Sequence, residues 1–227
     1  TDNTSIPSGV PSVLTDAKLW LDASNVDGEG NTNLKDGQFI SEWIDLSGNT
    51  NNAVAIIGNE PIYTSDDLIM RNVIKFNQSN LDTMLIDDNL NIQHENYEIF
   101  LIERYNNFNL GGRGLQSRDN NWLLGLWGNS GGKFGFYVNG WVGGYDIVSN
   151  YSSNNSWHLA NGKSTGVETL YENGKLVATG NYGSGKPKRL AINGGGQYSE
   201  YSDSSFAEII VFEKELSDEE RFQVNYY

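Results

Sequence analysis

The sequence predicts an all-β chain, an antiparallel sandwich of two sheets closed by one short helix. Three observations carry that expectation. Short apolar segments, roughly a dozen, recur at intervals of about 10–15 residues. The stretches between them are made of turn formers, with 26 Gly and 29 Asn in 227 residues. A helix signature occurs once, at the end of the chain. The hydrophobic fraction is only 37%, but 12% of all residues are aromatic, enough for a packed core where a disordered acidic chain would be poor in such residues.

Taken in order, residues 1–16 are rich in Ser, Thr and Pro and read as a leading segment or linker, followed by a single domain over 17–227. Residues 18–22 (Lys-Leu-Trp-Leu-Asp) form a short apolar strand, closed by a polar loop over 23–37, and residues 39–43 read as the next strand. Residues 73–76 and 84–86 are short strand candidates. Residues 97–105 are nearly continuous in apolar and aromatic side chains, as a strand covered on both faces should be. Residues 122–127 and 133–138 follow; Phe134, Phe136 and Val138 share one face, Tyr137 and Asn139 the other. Residues 167–178 form the clearest hairpin, because Asn173-Gly174 supplies the two positive-φ residues of a type I′ turn. Residues 189–192 and 206–212 complete the strands. Ser217 as N-cap with Glu220 three residues on makes a capping box, and Asp218 and Glu219 suit the positive end of the helix dipole. The chain stops at Tyr226-Tyr227 within this helix, as expected of a piece of something longer.

Charge and composition exclude several functions. With 15 Lys+Arg against 29 Asp+Glu, the net charge is −14, so phosphate-backbone binding and adhesion to anionic lipid are not expected. The absence of Cys removes disulfides, thiolate catalysis and Cys-ligated metals. No apolar run of about 18 residues exists to insert in a membrane, and the start lacks the pattern of a signal peptide.

Several motifs together resemble one family. Leu19-Trp20-Leu21-Asp22-Ala23-Ser24 comes first, then Trp43-Ile44-Asp45-Leu46-Ser47-Gly48-Asn49 with Ala53. Later come Trp157-His158 and Leu170-Tyr171-Glu172-Asn173-Gly174-Lys175, and at the end Ala207-Glu208-Ile209-Ile210-Val211-Phe212 with Leu216-Ser217-Asp218-Glu219-Glu220-Arg221. In order and spacing these resemble the laminin-G-like branch of the concanavalin A-like lectin/glucanase jelly rolls. The resemblance implies a jelly-roll sandwich and a module of a larger extracellular, cell-surface or virion protein. Residues 105–156 match no pattern of that family.

That superfamily includes enzymes, whose glycanases carry three alternating acids on one strand. No such run is present; the nearest set is Glu208, Glu213 and Glu215, with an odd step between the first two, and Glu208 reads as an edge or loop-facing acid. A lyase would need a concave Arg/Gln/His/Tyr set, and only His94, in a polar loop, and His158, in a strand, are available. No Gly-x-Ser-x-Gly elbow occurs, and Gly111-Gly-Arg-Gly114 neither follows a strand nor opens a helix. The chain is therefore expected not to be an enzyme, a glycanase or lyase being the least favoured reading.

Sugar binding has stronger support, since apolar sugar faces stack on rings while hydroxyls need amide, carboxylate and backbone partners. Residues 120–155 supply both, and the expected ligand-binding residues are Trp127, Tyr137, Asn139, Trp141, Tyr145, Asp146 and Tyr151, with Trp122 and Asn154 in the same stretch. Trp141 and Tyr145 either stay exposed for a glycan or fold back onto the sandwich edge. Trp20, Trp43 and Trp157 are expected in the core, and at least one of Trp122 and Trp127, which point to opposite faces. The family resemblance also brings calcium into view. Calcium takes about six to eight oxygens, and Asp27, Glu29 and Asn31 in one loop are candidates; Asp45 is another, unless it caps its own turn. The expected function is noncatalytic binding of a glycan or polysaccharide, the alternative a structural module gripping a protein partner.

Overall fold

The computed structural model describes residues 9–66, 69–93, 95–107, 111–128, 133–145, 155–183 and 185–227. Its strands run in chain order as β1 (Leu19–Asp22), β2 (Gln38–Phe39), β3 (Glu42–Trp43), β4 (Ala53–Ala55), β5 (Ile62–Asp66), β6 (Arg71–Phe76), β7 (Met84–Ile86) and β8 (Asn96–Tyr105). They continue as β9 (Leu115–Ser117), β10 (Trp122–Trp127), β11 (Lys133–Val138), β12 (His158–Thr165), β13 (Glu168–Glu172), β14 (Lys175–Gly180), β15 (Leu190–Ile192) and β16 (Ser204–Phe212), before the helix α1 (Asp218–Tyr226). Two antiparallel sheets result. One has the order β14-β13-β12-β8-β16-β6-β5-β2, with β1 also paired to β16; the other has the order β11-β10-β9-β15-β7-β4-β3.

The two central strands of the larger sheet show why their sequences are so apolar. Tyr97, Ile99 and Leu101 of β8 and Ile209 and Val211 of β16 point between the sheets, meeting Trp122, Leu124, Leu126, Phe134 and Phe136 from the smaller one. Their other faces carry Phe100, Ile210 and Phe212, covered by Val224 of α1 and by Val13 and Leu14 of a 3-10 turn, Ser12–Asp16. The last residues of the expected leading segment thus belong to this second apolar cluster. Helix α1 starts as its sequence dictates: the Ser217 hydroxyl accepts from Glu220 N, and the Glu220 carboxylate accepts from Ser217 N. Arg221 clamps the helix to the sheet, its Nε donating to the fully buried Glu98 at 2.6 Å. Asn161 Nδ2 and Leu216 N donate to the same carboxylate.

Four expectations are corrected. Residues 39–43 are not one strand, because the chain leaves the larger sheet after β2 and enters the smaller one at β3. Glu208 is no edge acid: it is 3% exposed on β16 and accepts hydrogen bonds from Trp20 Nε1 at 2.8 Å and from the Tyr227 hydroxyl. Burial, helped by the neighbouring Asp22, pushes its carboxyl up to about 7. Trp20 is half-buried, turned to the outer face by the alternation that buries Leu19 and Leu21. Trp157 is also half-buried, with the Arg104 guanidinium 5.2 Å from its ring. Trp43 is in the core as expected, its Nε1 donating to the Asp22 carbonyl at 3.1 Å.

Candidate aromatic binding site

The β10–β11 hairpin sets the geometry by simple alternation. Trp122, Leu124 and Leu126 face the core opposite Val138, Phe136 and Phe134, and Trp122 Nε1 donates to the Tyr97 hydroxyl at 3.0 Å. The intervening residues form the other face in cross-strand pairs: Leu123 with Tyr137, Gly125 with Gly135, Trp127 with Lys133. Between Trp127 and Tyr137 the two strands carry only this glycine pair on that face, Gly125 taking a positive φ of 97° that turns its Cβ direction inward to Glu103. The Trp141 ring meets the residues on either side of the pair, its centroid 4.9 Å from that of Trp127 and 4.9 Å from that of Tyr137. All three rings remain half-buried.

Trp141 is brought back by a tight turn. Asn139 takes a positive φ of 68°, Tyr137 and Trp141 form an antiparallel bridge, and Val142 N donates to the Phe136 carbonyl at 3.0 Å. The turn is held from behind by Tyr182, Gly183 and Gly185. A methyl group on Gly140 would sit 2.2 Å from the Tyr182 carbonyl oxygen, one on Gly183 would sit 2.0 Å from that of Val138, and Gly185 N donates to the same Val138 oxygen. Backbone packed this closely fixes the turn before any ligand arrives. Tyr145 is 53% exposed and is drawn toward the cluster by Lys133, whose Nζ lies 2.9 Å from its hydroxyl and 4.6 Å from its ring centroid.

Trp127, Tyr137 and Trp141, expected as binding residues, therefore converge, with Tyr145 linked through Lys133 and Asn139 exposed at the turn. Trp141 follows the second of the two alternatives, folding onto the sheet while keeping part of its ring in solvent. Asp146, Tyr151 and Asn154 lie outside the described residues. Lys133 and the glycine pair were not anticipated; the signal for both is the register of the hairpin, which sets Lys133 opposite Trp127.

The residues named for calcium are hydrogen-bonded to their own loops. Asp27 Oδ1 accepts from the backbone N of Glu29 and of Asn31, and Asn31 Oδ1 accepts from Val26 N. Asp45 receives three backbone N–H groups, from Trp20, Ser47 and Asn51, and the Ser47 hydroxyl, so it caps its own turn. Glu29 is exposed. Among the described residues no group of three or more His, Cys, Asp or Glu is placed to hold a metal ion. The acids named for glycanase chemistry are dispersed as well: Glu208 is buried beside Trp20, while Glu213 pairs with Lys18 and Glu215 with Lys163. His158 is buried at the start of β12, its Nδ1 2.8 Å from Glu172 and its ring stacked on Phe134. Burial lowers it to about 4, so it stays neutral. His94 lies outside the described residues.

No protein-family model matches the sequence, and no curated protein does either. Solved structures match by fold. The binding domain of Paraclostridial Mosquitocidal Protein 1 superposes with a TM-score of 0.62 at 14% identity, over 93% of this chain and 52% of that one. The binding domain of botulinum neurotoxin DC, in complex with SialylT, gives 0.58 at 18% identity, over 93% and 51%. Trypanosoma rangeli sialidase in complex with the inhibitor DANA gives 0.54 at 12% identity, over 91% of this chain but 32% of that one. The chain thus spans about half the length of the toxin binding domains it matches, and the likeness is one of fold: two antiparallel β-sheets packed as a sandwich.

Proposed function

We propose that this chain is a noncatalytic glycan-binding module of concanavalin A-like, laminin-G-like architecture, working within a larger extracellular, cell-surface or virion protein. The observation that carries the reading is the platform of Trp127, Tyr137 and Trp141, assembled around a glycine pair and set on a turn locked by backbone contacts. Half-exposed rings of this kind stack on the apolar faces of sugars, and the exposed Asn139, the Tyr145 hydroxyl and Lys133 stand ready for hydroxyl groups. The named ligand of the neurotoxin DC binding domain supports the reading by analogy of fold.

The test is a glycan array followed by affinity electrophoresis, with calcium and with chelator. Retention is expected on at least one glycan and is expected to survive chelation, because Asp27 Oδ1, Asn31 Oδ1 and both oxygens of Asp45 already accept hydrogen bonds. Trp141→Ala is expected to weaken binding by about 1–3 kcal/mol with little change in Tm. Absence of retention on every glycan, or cleavage of a polysaccharide with release of reducing ends, overturns the proposal.

A further inference from the structure

At the other end of the strand order from Trp141, two loops and an edge strand enclose a pocket of about 260 Å³, lined by Phe39, Gly58, Glu60, Asn80 and Asp82. Phe39, on the edge strand β2, is 67% exposed. The loops are fastened to one another: Asn59 Nδ2 donates to the Asn80 carbonyl at 2.6 Å, and Thr83 N donates to the Asn59 carbonyl at 3.1 Å. Glu60 turns back on its own loop, both its oxygens 3.0 Å from Gly58 N.

Asp82 is the anomaly. It is 3% exposed; its Oδ2 accepts from Asn77 N at 2.8 Å, but its Oδ1, equally buried, has no hydrogen-bond partner among the described residues. A buried carboxylate oxygen left unpaired is costly. Desolvation pushes this carboxyl up to about 6, and the negative charges of Glu60 and Asp203 push the same way. None of the lining residues is cationic, and Asp82 Oδ1 lacks a donor among the described residues. Among the described residues no group of three or more His, Cys, Asp or Glu is placed for a metal ion, whereas an ammonium group brings both positive charge and N–H donors. An exposed ring at the mouth adds a surface on which a cation or the apolar face of a sugar rests. The volume suits a single ring rather than a chain.

We propose that this pocket binds an amino sugar with an unsubstituted amine, its ammonium donating to Asp82 and Glu60 and its ring lying on Phe39. The site is separate from the aromatic platform, so each stands or falls alone. The experiment follows the backbone amides of residues 58–60 and 80–82 by NMR while glucosamine is added to the full chain at neutral pH. N-acetylglucosamine, Nα-acetyl-lysine amide and calcium chloride are titrated in parallel. Saturable shifts with glucosamine, and none with N-acetylglucosamine, are expected. Asp82→Asn, which keeps an oxygen for Asn77 N, is expected to weaken binding about 10–100-fold, and Phe39→Ala about 2–5-fold. Trp141→Ala is expected to leave these shifts unchanged. Equal shifts with N-acetylglucosamine overturn the role of the charge, and equal or tighter binding of the lysine amide overturns the sugar. Displacement of the same amides by calcium alone, or no saturation with any probe, overturns the site.

Discussion

Replacing Glu103 by Gln is expected to stabilise the protein, and more so as the pH rises. Glu103 points between the sheets from β8 and is fully buried; Leu126 N donates to its Oε1 at 2.6 Å, while Oε2 has no hydrogen-bond partner among the described residues. It fits only because its neighbours are glycines, since a methyl group on Gly114 or Gly125 would sit 1.9 Å from its oxygens. Burial pushes the carboxyl up from 4.5 to about 8. Between those pH values the folded chain holds a proton that the unfolded chain has released. Stability contributed by this site is thus complete below 4.5 and is lost as the pH climbs, at about 1.36 kcal/mol per pH unit. The accumulated loss is under about 1 kcal/mol at pH 5, about 3 at pH 7 and about 5 at pH 9. Gln has the shape of the protonated acid and never ionises, so the variant escapes the loss. Urea unfolding of both proteins at the three pH values reads the difference directly, and other titrating groups cancel in it. A difference that stays flat with pH, or a variant less stable at pH 9, would show that Glu103 is ionised and well paired, and the reasoning would be refuted.

Other outcomes can be stated more briefly. Asp45→Ala strips an acceptor from three backbone N–H groups and should cost about 3 kcal/mol or more in urea unfolding; a loss under about 0.5 would show that water replaces the carboxylate. Arg221→Ala leaves the buried Glu98 without its cation and is expected to destabilise by about 3–5 kcal/mol, with α1 the first element to lose amide protection in hydrogen exchange. Gly112→Ala would bring a methyl group within 2.4 Å of the Tyr201 backbone carbon; a fall of about 1–3 kcal/mol is expected, and unchanged Tm would mean the chain there yields freely. The His158 ring, held neutral by burial, should titrate by NMR with a midpoint near 4. A midpoint at the ordinary value of about 6.5 would mean that the Glu172 carboxylate offsets the burial.

Much of this fold is legible in the chain because local chemistry and tertiary structure agree. Asn173-Gly174 turns β13 into β14 with φ values of 50° and 74°, and Ser217 with Glu220 opens α1. The unbroken apolar run of β8 is indeed covered on both faces, and the five-residue step from Trp122 to Trp127 separates a core ring from an outward one. Legibility fails where partners come from far along the chain. The strands β4, β5 and β9 are short, and Thr64, Ser65, Gln116 and Ser117 give them no apolar alternation to detect. Glu208 looks misplaced in its strand until Trp20 and Tyr227 arrive to bind it. The aromatic platform was legible as composition only. Which rings meet depends on the hairpin register and on Gly183 and Gly185, whose close approach to Val138 nothing nearby in sequence announces.

The position of β16 has a consequence for how this protein is made. Residues 204–212 occupy the middle of the larger sheet, paired along one side with β8 and along the other with β6 and then β1. During synthesis those three strands leave the ribosome long before the segment that joins them, each with an open hydrogen-bonding margin and an oily face. Native pairing must wait until nearly all of the chain has emerged, since Leu19 meets its mate at Val211. Maturation is therefore expected to be late, slow and prone to clumping in the interval, so chaperone supply or lower growth temperature should raise the recovered yield more than a stronger promoter does.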